Sequence, residues 1–325
     1  MFEYQVRIMI IWTGFILLIL ILLGIDLGIL NKNPHQVSTK EALRWTGLWV
    51  TLSLLFSIFI YYAYTNRWLP QGSHILSGEE AVITYLTGYL VEQSLSIDNI
   101  FVIAIIFTYF NIPQANQHRV LFWGILGAII FRGIMIGLGA VLMERFTWIV
   151  YIFGIILLYA AYKMLKSGTH ESIHPENNPT IKLVKRFFPV TSAFHGDHFF
   201  IKEGRLWVAT PLFIALMVVE TTDIMFAFDS IPAIFAITTD PFIVFTSNIF
   251  AILGLRSLYF VLAAFIDKFE YLKYSLVAIL AFVGVKMLVS HHLHLPDWLS
   301  LAFIVTALSI GVVLSIWKEK RETKE

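Results

Sequence analysis

Two stretches of the chain set acids inside apolar runs at matching intervals. Glu92 and Asp98 lie in Val91-Glu92-Gln93-Ser94-Leu95-Ser96-Ile97-Asp98-Asn99-Ile100, and Asp223 and Asp229 in Thr222-Asp223-Ile224-Met225-Phe226-Ala227-Phe228-Asp229-Ser230-Ile231. A shift of 131 positions lays Glu92 on Asp223 and Asp98 on Asp229. A fifth acid, Glu220, precedes Asp223 by one helical turn. A charge at the bilayer centre costs about 2.5–3.5 kcal/mol on insertion scales, so ionisable groups retained there mark a function by default. Their polar neighbours are the hydroxyls of Ser94, Ser96, Thr222 and Ser230 and the amide of Asn99. These are hard oxygen ligands, suited to Mn²⁺, Mg²⁺ or Ca²⁺ and poor for Cu⁺ or Zn²⁺. The expected chemistry is cation binding, with metal or protons as the cation.

Helical geometry limits how those oxygens converge. On an unbroken helix Glu92 and Asp98 lie about 120° apart in projection, so they share a target only if the helix is interrupted. Glu92, Ser96 and Asn99 share one face and Ser94 and Asp98 another; Asp223 shares a face with Ser230, and Glu220 with Asp223. Arg132 and Arg256 also fall inside apolar runs, but two cations do not balance five acids. The surplus calls for a cation or protons, and the arginines read as structural or gating counter-ions, because a cation site would not recruit positive ligands.

The elements that must hold these groups are membrane helices. The sequence is 58% hydrophobic and 14% charged, with a mean hydropathy of +0.77, where soluble domains carry roughly 25% charged residues. Spanning-length runs fall near 8–30, 46–64, 82–109, 120–142, 147–165, 209–238, 242–264, 274–290 and 298–317. An all-α polytopic membrane protein of about nine transmembrane helices is expected, as a single transmembrane domain over 1–325. The runs 82–109 and 209–238 exceed the needed length, which implies strong tilt or a break, and Pro232 would kink or open its helix just past Asp229. The first run lacks a basic leader and a cleavage pattern and reads as a retained helix. With no cysteine, thiol chemistry, disulfides and iron–sulfur clusters are excluded. No basic patch interleaves with stacking aromatics, so nucleic acid is not an expected partner.

Loop charge sets the orientation. The side of the C-terminus carries Lys40, Arg44, Arg119, Lys182, Lys185, Arg186, Lys273, Lys318, Lys320 and Arg321 among others, and the opposite side only Arg7, Arg67 and Arg145. By the positive-inside rule the N-terminus is outside and the C-terminus cytoplasmic. The repeat extends beyond the acids: Ile125-Leu126-Gly127 leads to Arg132 as Ile252-Leu253-Gly254 leads to Arg256, and Tyr162-Lys163-Met164-Leu165 recurs as Val285-Lys286-Met287-Leu288. Spans three to five (82–165) thus repeat as six to eight (209–290), joined by a cytoplasmic linker loop at 166–208. Three spans per copy force opposite senses, giving a 3+3 inverted-topology repeat, a construction that places transporter sites near the midplane. Asp26 reads as an interfacial residue beside Lys32, and Lys163 and Lys286 as snorkelling to the interface. The tracts His195-Gly196-Asp197-His198 and His291-His292-Leu293-His294 are weak metal signals.

At these residues the chain resembles the TerC family of integral membrane proteins, particularly its Alx branch of bacterial manganese exporters. The resemblance rests on Leu86-Thr87-Gly88-Tyr89-Leu90-Val91-Glu92 through Asp98-Asn99, on Val219-Glu220-Thr221-Thr222-Asp223, and on Phe228-Asp229-Ser230-Ile231-Pro232-Ala233-Ile234-Phe235-Ala236. It continues through Thr239-Asp240-Pro241-Phe242 to Ala251-Ile252-Leu253-Gly254-Leu255-Arg256, with further matches at Trp49-Val50-Thr51-Leu52 and Tyr151-Ile152-Phe153-Gly154. It implies a multi-pass protein of the bacterial inner membrane that exports Mn²⁺, with the metal as transported substrate and no tightly bound cofactor. Other members are named for tellurium resistance or linked to supplying manganese to exported enzymes.

The expectation is therefore a transporter binding metal and protons by turns at Glu92, Asp98, Asn99, Glu220, Asp223 and Asp229. A membrane-embedded metallation or assembly factor is the alternative, disfavoured by short outer loops. Enzymatic activity is not expected, because no nucleophile–base arrangement or His-Glu-x-x-His zinc helix is present.

Overall fold

A computed structural model describes residues 2–25, 38–69, 75–146, 148–166, 179–191, 193–203, 206–263, 271–290 and 296–322. The helices are α1 (Phe2–Ile25), α2 (Thr39–Thr65), α3 (Gly78–Tyr109), α4 (Gln114–Arg145), α5 (Ile149–Lys166), α6 (Pro179–Phe187), α7 (Pro211–Phe235), α8 (Pro241–Ala263), α9 (Leu272–Val289) and α10 (Asp297–Glu322). A two-stranded antiparallel pair, β1 (Phe200–Glu203) and β2 (Leu206–Ala209), precedes α7. Among the described residues, eight helices are long and apolar enough to cross a bilayer: α1 to α5, α7, α8 and α10. The ninth expected span corresponds to α9, 18 residues long and packed between α5 and α10.

Local chemistry sets the ends of these helices. The Ser77 hydroxyl accepts from the Glu80 amide while the Glu80 carboxylate accepts from the Ser77 amide, a capping box that starts α3. Asp240 starts α8 by accepting from the amides of Phe242 and Ile243 at 2.9 and 3.1 Å. Its carboxyl is held above the usual carboxylate range, chiefly by burial, against the pull of Tyr64 and those two amides. At the other ends, Arg67 and Asn111 take left-handed backbone (φ 52° and 51°). Trp68 and Ile112 then donate back to Ala63 and Phe107 at 2.8 and 2.9 Å, and these closures stop α2 and α3.

The core lies around α3 and α8. In α8, 89% of the span is buried, against 17% of α1, so α8 is a central helix and α1 a peripheral one. α3 lies along α8 and α4 along α7; the two pairs meet through α3–α7 and α4–α8. α5 and α9 cross at Gly154 and Gly284, where a Cβ on either glycine would come within 3.2 Å of the other's carbonyl oxygen. Such bare backbone approach is how helices associate in lipid, where apolar side chains gain nothing from leaving water.

Two expectations about helix geometry change. α3 and α7 are continuous, and Pro232 sits three residues before the end of α7, where it displaces little of the hydrogen-bond ladder. The 32 residues of α3 rise about 48 Å, so its excess length is taken up by tilt or protrusion and not by a break. The described part of the linker holds α6 and the β1–β2 pair. Ile181 and Val184 of α6 are buried against α7, Thr180 donates to the Thr221 hydroxyl at 3.0 Å, and Arg119 of α4 pairs with Asp197 and lies over the Phe199 ring. Asp26, Lys32 and the tract at 291–294 lie outside the described residues.

Candidate cation site

Midway along α4, Arg132 is fully buried, and its guanidinium is surrounded by oxygens from three other helices. It donates to Glu92 Oε1 of α3, to Asp223 Oδ1 and Oδ2 of α7 at 3.1 and 3.4 Å, to Ser230 Oγ of α7 at 3.1 Å and to Asn248 Oδ1 of α8 at 3.3 Å. The Asp223 contacts are the two-pronged kind that the planar fork of arginine favours. Glu92 is 1% exposed, and Ser96, one turn on, donates to its Oε1 at 3.4 Å. The counter-ion role read for Arg132 thus has specific partners: it joins one acid from each acidic stretch.

The five acids do not converge on one point. Since α3 is unbroken, Asp98 is turned away from Glu92, as the 120° projection requires. Glu220 lies against α4 at Gly127, where a Cβ would fall on its carboxylate. Among the described residues, no three acidic or histidine side chains are gathered as a metal cluster.

Two carboxylate oxygens nonetheless stand buried and without a hydrogen-bond partner, Glu92 Oε2 and Glu220 Oε2, as does the amide oxygen of Gln93. Each such acceptor costs about 1–3 kcal/mol. Asp223 also lines a cavity of ≈ 30 Å³, whose polar wall it forms with Asn99 and Thr222 and whose apolar wall includes Ile103, Leu121 and Phe226. That volume holds one or two waters, or a small ion. Ser94 and Thr222 spend their hydroxyl hydrogens on the carbonyls of Leu90 and Val218 within their own helices, which leaves their oxygens only as acceptors.

The other cations differ from their expected surroundings. Arg256 contacts His118 Nε2 at 3.1 Å, and α4 starts early enough, at Gln114, to bring that histidine into its first turns. Lys286 does not snorkel: it is 8% exposed and donates to Ser300 of α10 at 2.9 Å. Asn248 was not singled out from the sequence. Its signal is Thr246-Ser247-Asn248, three consecutive polar residues inside an apolar run, all fully buried in α8.

Comparisons with known proteins agree with the resemblance. The model of the "Integral membrane protein TerC family" matches residues 77–323, which takes in every helix named at this site. A protein of Myxococcus xanthus named "Uncharacterized membrane protein STKORF319" is 46% identical over 309 residues, covering 95% of this chain and 92% of its own. Proteins of Salmonella typhi and Escherichia coli (strain K12), each named "Putative membrane-bound redox modulator Alx", are 42% identical over 315 residues, covering 97% of this chain and 96% of theirs. No solved structure matches the chain.

Proposed function

Because the chain belongs to the TerC family of integral membrane proteins, we propose that it is an inner-membrane transporter that exports a hard divalent cation, Mn²⁺ foremost, in exchange for protons. The observation that carries this reading is the oxygen cluster of Glu92, Asp223, Ser230 and Asn248, contributed by α3, α7 and α8 around the buried Arg132 of α4, with a second Glu92 oxygen left unpartnered. Carboxylates at that depth serve ion or proton pathways far more often than scaffolding. The neighbouring cavity gives a small ion a place to wait, and its Asn99, Thr222 and Asp223 are the same hard donors.

The architecture supports alternating access. α3 packs along α8 as α7 packs along α4, and α5 packs on α9, which is the pairing an inverted repeat of α3–α5 and α7–α9 requires about an in-plane axis. With the N-terminus outside and the C-terminus cytoplasmic, the site sits where the two copies meet. Expelling a divalent ion against the potential costs about 2.3 kcal/mol per charge per 100 mV, so inward protons are the natural counter-flow. The Salmonella typhi and Escherichia coli relatives are named for redox modulation. This chain has no cysteine, so any such effect here runs through the ion moved and not through its own thiols.

The test is flux in proteoliposomes with and without a pH gradient. Wild type is expected to move Mn²⁺ opposite to the proton flow that an imposed pH gradient drives, Asp223→Asn to abolish movement, and Asp98→Asn and Asp229→Asn to lower it at least tenfold. No flux in wild type sinks the transporter reading and turns attention to a metallation factor; undiminished flux in all three variants sinks the acidic site.

A further inference from the structure

The oxygens that hold Arg132 are themselves a cation cage, and the arginine fills it. Its guanidinium touches five oxygens: one carboxylate oxygen of Glu92, both of Asp223, the hydroxyl of Ser230 and the amide oxygen of Asn248. All are hard donors. The second Glu92 oxygen, buried and unpartnered, makes a sixth. Six oxygens with two carboxylates, one hydroxyl and one amide form the donor set that an octahedral hard divalent ion takes, and two carboxylates neutralise its charge in full.

We infer that Arg132 is a tethered stand-in for the transported ion: a divalent cation binds in the cage of Glu92, Asp223, Ser230 and Asn248 only as the guanidinium leaves it. This rests on the transporter reading and deepens it, because it names the ion's seat and what occupies that seat between turnovers. A buried pair of acids cannot stay charged without a cation in so apolar a place. An empty carrier that crossed the membrane with its acids bare would pay that cost, and one whose acids are held by its own arginine does not.

The displaced guanidinium has a destination. Glu220 lies one turn from Asp223 on the same side of α7, against Gly127 of the helix that carries Arg132, and one of its buried oxygens has no partner. Side chains on a helix lean toward its N-terminus, and from Arg132 that direction leads toward Gly127. Moving one turn along α7, from Asp223 to Glu220, keeps the arginine paired while the ion takes its place.

The experiment is Mn²⁺ binding to the purified full-length protein in nanodiscs, at equilibrium and without a gradient. Arg132→Gln removes the competitor, so its Mn²⁺ affinity is expected to rise at least tenfold, while exchange-driven flux falls because the empty carrier has lost its stand-in. Asn248→Ala placed on top of Arg132→Gln is expected to weaken binding again by about tenfold. A second measurement uses the unaltered protein. With arginine labelled with ¹⁵N, the Nε–H signal that Arg132→Gln removes is assigned to Arg132, or, if that variant does not fold, to the most exchange-protected arginine. Mg²⁺ is expected to shift that signal and speed its exchange with deuterium. An affinity that is unchanged or weaker in a folded Arg132→Gln protein, or an Arg132 signal indifferent to Mg²⁺, overturns the inference while leaving the transporter standing. Absence of any Mn²⁺ or Mg²⁺ binding to wild type overturns both.

Discussion

A single buried arginine fixes how the acids of this chain behave. Arg132 bridges Glu92 and Asp223 from helices far apart in sequence, and taking away one member of a buried pair strands the others, at about 3–5 kcal/mol. Arg132→Ala is therefore expected to lower unfolding stability by about that amount in chemical denaturation of the detergent-solubilised protein. Combining Glu92→Gln with Arg132→Gln is expected to cost less than the two single changes added together, because Arg132→Gln alone strands two carboxylates and the double variant only that of Asp223. Strict additivity would mean that the two side chains do not interact. At this scale the sequence was half legible. The acids announced themselves, since a charge in an apolar run has few other reasons to exist, and the 120° projection already separated Glu92 from Asp98. Which acid meets which cation was not legible, because pairing depends on helix crossings: Arg132 found Glu92 and Asp223, whereas Arg256 found His118. Asn99 was picked out beside Asp98, whereas Asn248 escaped notice because no acid stands next to it in the sequence.

Helix ends and helix crossings are where elements are set. Asp240 caps α8, and burial makes it hold its proton more tightly folded than unfolded. A carboxyl shifted in that sense contributes stability that is present at low pH and is lost as pH rises from its unfolded pKa through its folded one. Asp240→Asn keeps the capping oxygen and removes the titration, so stability measured across mildly acidic pH should decline less for the variant than for wild type. Asp240→Ala loses the cap as well, at about 1 kcal/mol. At the α5–α9 crossing, a Cβ on Gly154 would stand 2.8 Å from the Leu288 side chain, so Gly154→Val is expected to destabilise by about 1–3 kcal/mol, read as a lower melting midpoint. Spans were legible from apolar run length alone. The elements between α5 and α7 were not: α6 has nine residues and each strand four, too short for periodicity to stand out from a polar linker.

For the molecule as a whole, the proposed orientation has a direct test, because the chain is naturally free of cysteine. A single cysteine in place of Glu144, exposed at the end of α4, is expected to react with a membrane-impermeant maleimide on intact cells, and one in place of Lys320 only after the cells are opened. The reverse pattern would invert the topology. The matching tripeptides in the sequence suggested which segments correspond, but the packing partners were not legible, since repeats say nothing about which segments touch. The glycine crossing of α5 and α9 carries one more implication. The two backbones meet with the Leu157, Leu158 and Leu288 side chains closed over the crossing, so under the transport proposal these helices are expected to travel together and any rocking is left to the α3–α8 pair moving past the α4–α7 pair. If the chain transports as proposed, a chemical staple between α5 and α9 should leave Mn²⁺ flux intact, whereas one between α4 and α8 should stop it.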